Sequence, residues 1–324
     1  MSRQLILHIG LHKTGTSSLQ FALFQLRNEL QQLGWSYPGL NGSLAHHQLR
    51  RDLAMQKTSG VVSKFREYVL NSGFQNFIIS SEGFDVFTPD QIRATRDFFK
   101  GLGLETKVIY FIRNQADMLE SSIAGTKNFK TLARSEADTI ERIKSRFPWK
   151  LYTCHQQWSD YFGGSNVFVE IYEHHRDTVS RFFEVAQIGI NKSSIRSIKE
   201  LGSKNVSVNH DAAFASREII RQLHQQGVST LHIESVVMPL LREIGPKLEI
   251  ECLENRMSLI SSSLRSNMEH LFQQENQMFS KRIKELPPQY FSFSRNVRTE
   301  PANPDSYQRT LMQELVNANA VKGH

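Results

Sequence analysis

Cysteine is nearly missing from this chain: Cys154 and Cys252 are the two in 324 residues. They stand far apart and outside any metal-ligand spacing. That excludes a disulfide framework and leaves two free buried thiols as the expectation. Long apolar runs are missing too. No stretch approaches the roughly 20 residues that a bilayer span requires, so no transmembrane segment is expected. The first apolar run starts a few residues after Met1, which leaves no room for a signal peptide. A soluble, cytoplasmic protein is expected. Basic residues are scattered rather than gathered in a tail, and no recognised nucleic-acid motif occurs, so no nucleic-acid partner is expected. Internal repeats are absent, and the glutamine-rich stretches at 222–226 and 273–277 are too short to count as low-complexity.

What is present builds a core and favours anions. Hydrophobic residues make up 39% of the chain, and 21 Phe against three Trp make that core ring-rich. Lys and Arg number 39 against 32 Asp and Glu, a net +7 that suits an anionic cofactor or an acidic acceptor. Four β-rich runs stand out: Gln4 to Ile9, Asn76 to Ser80, Lys107 to Ile112 and Asn166 to Tyr172. Helical patterns long enough for crossovers separate them, which predicts an α/β fold with a central parallel sheet covered on both faces. Leu19, Leu23, Leu26 and Leu30 repeat at helical spacing in the first helix, and Gly34 ends it. Thr88-Pro89 predicts an N-cap and first helical residue. From about 190 to 285 the strand signal fades into a helical extension. Residues 1–285 thus read as one domain, and the prolines beyond 286 predict an irregular tail over 286–324.

Residues Gly10 to Ser18 read G-L-H-K-T-G-T-S-S, directly after the first strand. A strand, a tight glycine turn and a new helix make a phosphate cradle of backbone N–H groups and a helix dipole. The nucleoside-triphosphate loop is G-x-x-x-x-G-K-[ST]. Here Thr16 takes the lysine position and Lys13 lies inside the loop, which argues against a nucleotide kinase. The run H-K-T-G-T-S-S resembles the 5′-phosphosulfate loop of sulfotransferases that use 3′-phosphoadenosine 5′-phosphosulfate (PAPS). That resemblance implies a P-loop NTPase-like three-layer sandwich, with PAPS as sulfuryl donor and 3′-phosphoadenosine 5′-phosphate as product. It implies a cofactor set of Lys13, Thr14, Gly15, Thr16, Ser17 and Ser18. In it Lys13 faces the bridging oxygen, the Thr16 and Ser17 hydroxyls join the backbone on the 5′-phosphate, and Thr14 contributes backbone. Animal secretory-pathway sulfotransferases generally carry a membrane anchor; the lack of one here favours a bacterial source.

A second piece supports the first. Y-F-I-R-N-Q-A-D-M-L-E-S-S, from Tyr110 to Ser122, resembles the 3′-phosphate motif of the same family, with Arg113 and Ser121 in the binding roles. Arginine at the carboxyl end of a parallel strand can take two phosphate oxygens. Val169 to Glu173 looks like the family's strand ending in Tyr-Glu, a largely structural element. The family's later basic nucleotide loop is not evident; Lys204 to Ser207 is a weak candidate.

The acceptor hydroxyl needs a general base. Glu82 follows the second strand in S-S-E, where glycan-type sulfotransferases often carry a glutamate, so the resemblance implies Glu82 as base and a carbohydrate or glycolipid acceptor. His46 or His47 could line the acceptor pocket or serve as base, and His12 could touch the transferred group. His8 reads as a satisfied interior histidine. No metal is expected, and His174-His175 lacks further ligands at useful spacing. Arg134, Arg142 and Arg146 could bind an acidic acceptor or form an ordinary solvated face. The competing readings are a nucleotide kinase or NTPase, and a non-catalytic nucleotide or glycan binder. Acceptor identity and oligomeric state stay open.

Overall fold

The computed structural model describes residues 3–124, 136–145, 149–172, 177–202, 210–244, 258–283, 286–287, 290–293 and 304–318. By contacts the chain divides into two compact units. The first comprises Met1–Arg113, Arg146–Lys204 and Gln273–Pro288, and the second Asn114–Ser145, Asn205–Phe272 and Gln289–His324.

The first unit holds the whole sheet: β1 (Arg3–His8), β2 (Trp35–Ser36), β3 (Asn76–Ser80), β4 (Leu104–Ile112) and β5 (Val167–Ile171). All pairs are parallel, in the order β2-β3-β1-β4-β5. The central strand β1 sets Ile6 beside Ile78 and Lys107, and His8 beside Ser80 and Ile109. Alternation divides the side chains between two faces. Ile6, Ile78, Ile109 and Phe111 pack with α1 (Thr16–Gln25), α9 (Thr178–Val185) and α10 (Lys192–Gly202) through Leu19, Leu23, Phe182 and Ile195. The opposite face meets α4 (Val61–Asn71), α5 (Pro89–Gly101) and α8 (Leu151–Phe162). There Tyr68 touches Phe77, and the Tyr110 hydroxyl meets His155 Nδ1 at 3.1 Å. The result is an α/β fold with helices on both faces of a five-stranded parallel sheet.

Local signals hold in most places. All four expected strands form, and β4 begins earlier, at Leu104. The two-residue β2 was not expected, because two residues carry no periodicity; pairing with β3 creates it. The leucine stripe is buried as read, but the helix breaks at Leu26 into α1 and α2 (Arg27–Gln32). Gly34 follows at φ 79°. Thr88 caps α5 in a full capping box with Gln91 and Pro89 at the first position. Between β2 and α4 lies α3 (His47–Ala54).

The second unit is helical: α6 (Gln115–Ile123), α7 (Glu136–Ser145), α11 (His210–Gln225), a π-turn (Ile233–Val237) running into α12 (Met238–Ile244), and α14 (Pro304–Asn317). Helix α13 (Ser262–Arg282) contributes to both units. The expected irregular tail is corrected by α14. Proline was read there as a breaker, but Pro304 stands at the first helical position, where its missing N–H costs nothing, and Leu311 and Leu315 are fully buried. Cys154 is a free, buried thiol, and burial pushes it far up from its ordinary value. Cys252 lies outside the described residues, as do Glu173, His174, His175, 204–207, Arg134 and Arg146.

Candidate functional site

Open parallel sheets bind ligands beyond the carboxyl ends of their strands. Three neighbouring strands here end in chemistry-bearing residues: β1 in the turn from Gly10 to Gly15, β3 in Ser81-Glu82, and β4 in Arg113. A cavity of about 350 Å³ lies instead at the amino-terminal edge, lined by residues such as Gln4, Arg96, Lys100 and Lys107, away from all three.

The turn after β1 is tightly enforced. Gly10 and Gly15 have φ 51° and 76°, in the left-handed region. A Cβ on Gly10 would stand 3.3 Å from the Ser81 carbonyl, and one on Gly15 only 2.8 Å from Thr178 Oγ1, so positive φ and close neighbours together favour glycine at both. Lys13 shares that region at φ 64°, a strained conformation for a long side chain. The Thr14 hydroxyl is buried and donates to the Leu11 carbonyl at 2.6 Å. Thr16 is buried too, and its hydroxyl donates to the same oxygen at 3.3 Å, so it braces the turn instead of facing a ligand. That corrects the expected role of the Thr16 hydroxyl. Ser17 and Ser18 are exposed. Helix α1 opens here with no side-chain cap and no acid in its first turn. Its leading amides therefore meet an incoming anion with the positive end of the dipole.

Arg113 lies beside this turn. It is 4% exposed, its Nη1 donates to the Lys13 carbonyl at 3.1 Å, and its guanidinium stands 5.2 Å from the centre of the Tyr172 ring. The Tyr172 ring in turn approaches the Gly15 backbone. Arg113 thus braces the turn from behind, a role the sequence did not suggest. Ser121 lies on α6 in the second unit, half-buried.

Acid–base groups gather after β3. Glu82 Oε2 lies 3.4 Å from His12 Nδ1, with the two side chains 30% and 48% exposed. Burial raises the Glu82 carboxyl, but the His12 contact and the charges of His12, His47 and Lys13 outweigh it and hold the group below the usual range. His47 Nδ1 meets Ser81 Oγ at 2.8 Å, and the Ser81 hydroxyl donates to the Glu82 carbonyl at 3.0 Å. Asp85, three residues beyond Glu82, is fully buried, and neither carboxylate oxygen has a hydrogen-bond partner among the described residues. Burial pushes it up to about 7, against the lowering influence of His12 and of the Gly83 and Asp85 amides. The Arg50 guanidinium lies flat on Gly83, close enough that a Cβ there would meet it at 3.1 Å. Neither Asp85 nor Arg50 was singled out from sequence. The available signal was an acid set between phenylalanines, in Phe84-Asp85-Val86-Phe87.

Two histidines fall to structural roles. His46, expected as a catalytic candidate, is 3% exposed: the Ser80 amide donates to its Nδ1 at 3.1 Å, and its Nε2 donates to the Pro38 carbonyl at 2.9 Å. Both nitrogens are committed to backbone, and burial lowers it to about 4. His46 joins the Pro38 turn to β3 and is no base. His8 is wholly buried beside Phe111 and Phe182. Its Nδ1 meets Ser80 Oγ at 2.8 Å, while Nε2 lacks a partner among the described residues, so the expected satisfaction is half met.

Among the described residues no three His, Cys, Asp or Glu side chains come together as metal ligands, and no helix is long and apolar enough to cross a membrane. No protein-family model matches the chain, and no curated protein matches it.

Proposed function

We propose that this protein is a PAPS-dependent sulfotransferase of P-loop type that transfers the sulfuryl group to a hydroxyl of a carbohydrate or glycolipid. One observation carries the reading: the uncapped start of α1, Lys13, Arg113 and the Glu82–His12 pair occupy the carboxyl ends of three neighbouring parallel strands. The donor set suits a phosphosulfate. Backbone amides and a helix start favour a dianion, two cations stand beside them, and the turn holds no acid to repel it.

PAPS would supply the activated sulfuryl group; the rest of the work falls to the chain. The amides of Gly15, Thr16 and Ser17 would hold the 5′-phosphate, with Ser17 and Ser18 presenting exposed hydroxyls. Lys13 would neutralise charge on the leaving phosphate as the sulfur–oxygen bond breaks. Arg113 would keep Lys13 aligned through its carbonyl, and the sequence resemblance implies Arg113 and Ser121 as nucleotide contacts. Glu82, ionised at neutral pH, is the base that resemblance implies.

The kinase reading needs a cation on the residue after Gly15 and a hydroxyl free for magnesium. Thr16 stands at that lysine position and supplies no cation, while Ser17 at the hydroxyl position stays exposed. Titration calorimetry with 3′-phosphoadenosine 5′-phosphate and with ATP–magnesium tests the choice. The bisphosphate should bind and ATP–magnesium should not; the reverse ends the proposal. Radiolabelled transfer from PAPS to saccharides then separates an enzyme from a non-catalytic binder.

A further inference from the structure

We propose that the cavity at the amino-terminal edge of the sheet is a second ligand site, and that it takes a single sugar unit bearing one anionic group. It lies within the first unit and is independent of the sulfotransferase reading.

Strand register makes the cavity. Strand β4 starts at Leu104, but its pairing with β5 begins only at Val108, beside Val167. On that side residues 104–107 have no strand next to them among the described residues, which leaves a notch in the sheet. Alternation turns Thr106 to the face of α5 and α8, with Tyr110, and Lys107 to the opposite face, with Ile109 and Phe111. Both line the cavity, so it wraps round the start of β4. The carboxyl ends of α5 and α8 flank it with Arg96, Lys100, Tyr161 and Phe162. Leu104 and Ile112, the two ends of β4, lie about 26 Å apart at the usual strand rise, so this space is separate from the turn after β1.

Charge sets the sign of the ligand. Arg96, Lys100 and Lys107 line the cavity against one acid, Glu105. Arg96 is partly committed, since its Nε and Nη2 donate to Asp97 Oδ1 at 2.9 and 2.6 Å. Lys100 stands one turn further on and complements the negative end of α5. Lys107 lies on a strand instead. It is half-buried and makes neither a hydrogen bond nor an ion pair among the described residues. An ammonium held partly out of water without a counter-ion is unfavourable, and a bound anion offsets that.

Size and the uncommitted polar groups set the rest. A volume of about 350 Å³ lies at the small end of ligand cavities and holds one ring with one charged substituent. Thr106 Oγ1 is buried without a partner among the described residues, and the half-buried Gln4 side-chain amide makes no hydrogen bond among them either. A hydroxyl and an amide, each able to donate and accept, match the hydroxyls of a sugar. Phe162 and the Tyr161 ring, with the Arg96 guanidinium 5.8 Å from its centre, supply apolar surface for the C–H groups of that sugar. An apolar ligand would strand Thr106 and Gln4, and bare phosphate would leave the rings uncovered.

Titration calorimetry on the full chain tests this with glucose 6-phosphate, glucose 6-sulfate and glucuronate, against glucose and inorganic phosphate. At least one anionic hexose should bind about tenfold tighter than either control. Lys107→Gln should weaken that binding by about tenfold, and Lys107→Arg should retain it. Thr106→Val and Lys100→Gln, the latter at an exposed position, should each weaken it by about threefold. Saturating 3′-phosphoadenosine 5′-phosphate should leave the sugar's affinity unchanged. The proposal is overturned if none of the three hexoses binds, if inorganic phosphate binds as tightly, or if both lysine-to-glutamine variants keep full affinity. Displacement of the sugar by the bisphosphate overturns it as well, by placing the sugar at the opposite edge. Failure of the bisphosphate itself to bind would strike only the sulfotransferase reading.

Discussion

The turn after β3 in the first unit and the Glu120–Arg265 pair in the second handle charge in opposite ways. Glu120 is fully buried, and one of its oxygens receives Arg265 Nη2, the Ser258 hydroxyl at 2.8 Å and the Leu259 amide at 3.1 Å. Arg265 also donates to the Phe293 carbonyl at 3.1 Å. The pair ties three segments of its unit together with its donors in use. After β3, by contrast, Asp85 and Arg50 Nε lie buried without hydrogen-bond partners among the described residues, while Glu82, His12 and His47 keep partial exposure. A satisfied ion pair holds a fold; the turn after β3 instead leaves buried polar groups under-satisfied.

Three experiments sharpen that contrast. Lys13→Ala should cost the most: sulfuryl transfer should fall by about 10³-fold while the bisphosphate still binds, because charge on the leaving oxygen loses its cation. Steady-state kinetics beside calorimetry measure both, and unchanged turnover would move Lys13 out of the chemistry. In the second unit, Arg265→Met should lower stability by about 3–5 kcal/mol by stranding Glu120 as a buried unpaired charge. The double replacement Glu120→Leu with Arg265→Met should recover most of that in urea melts. If it recovers nothing, the pair is more than a clamp.

The last effect concerns Asp85, and its size depends on pH. Its folded value of about 7 lies above the unfolded value of 3.8. The unfolded chain therefore ionises first, and stability drains away as pH rises from about 4 to 7 before levelling off. Asp85→Asn removes that loss. The variant should match wild type near pH 4 and exceed it by about 4 kcal/mol near pH 8. Equal stability at pH 8 would mean that Asp85 is better partnered than its surroundings suggest.

Much of the fold was legible because its signals are local. The apolar runs at 76–80 and 107–112 read as buried parallel strands, and the Thr88-Pro89 cap and the leucine stripe from Leu19 needed no partner to be recognised. The misses share a cause as well. Two residues at Trp35–Ser36 become a strand only by pairing with β3. The Pro304 helix was hidden because a proline breaks a helix from inside but opens one from its first position. At the site, adjacent histidines looked alike: the backbone then claims both nitrogens of His46, while Ser81 claims one of His47.

The sequence by itself determined which chemistry is at hand: a glycine turn with an internal lysine, an arginine after a strand, and an acid after another. These are matters of residue type and spacing along one chain, which strand and helix periodicity carry directly. Only the tertiary structure decided which groups meet. Parallel pairing of β1 with β3 and β4 brings residues about 70 and 100 positions apart to one edge, and hydrogen-bond partners across that edge set each group's proton affinity and tautomer. Such couplings fall off within a few ångströms, so they exist only once the chain has folded.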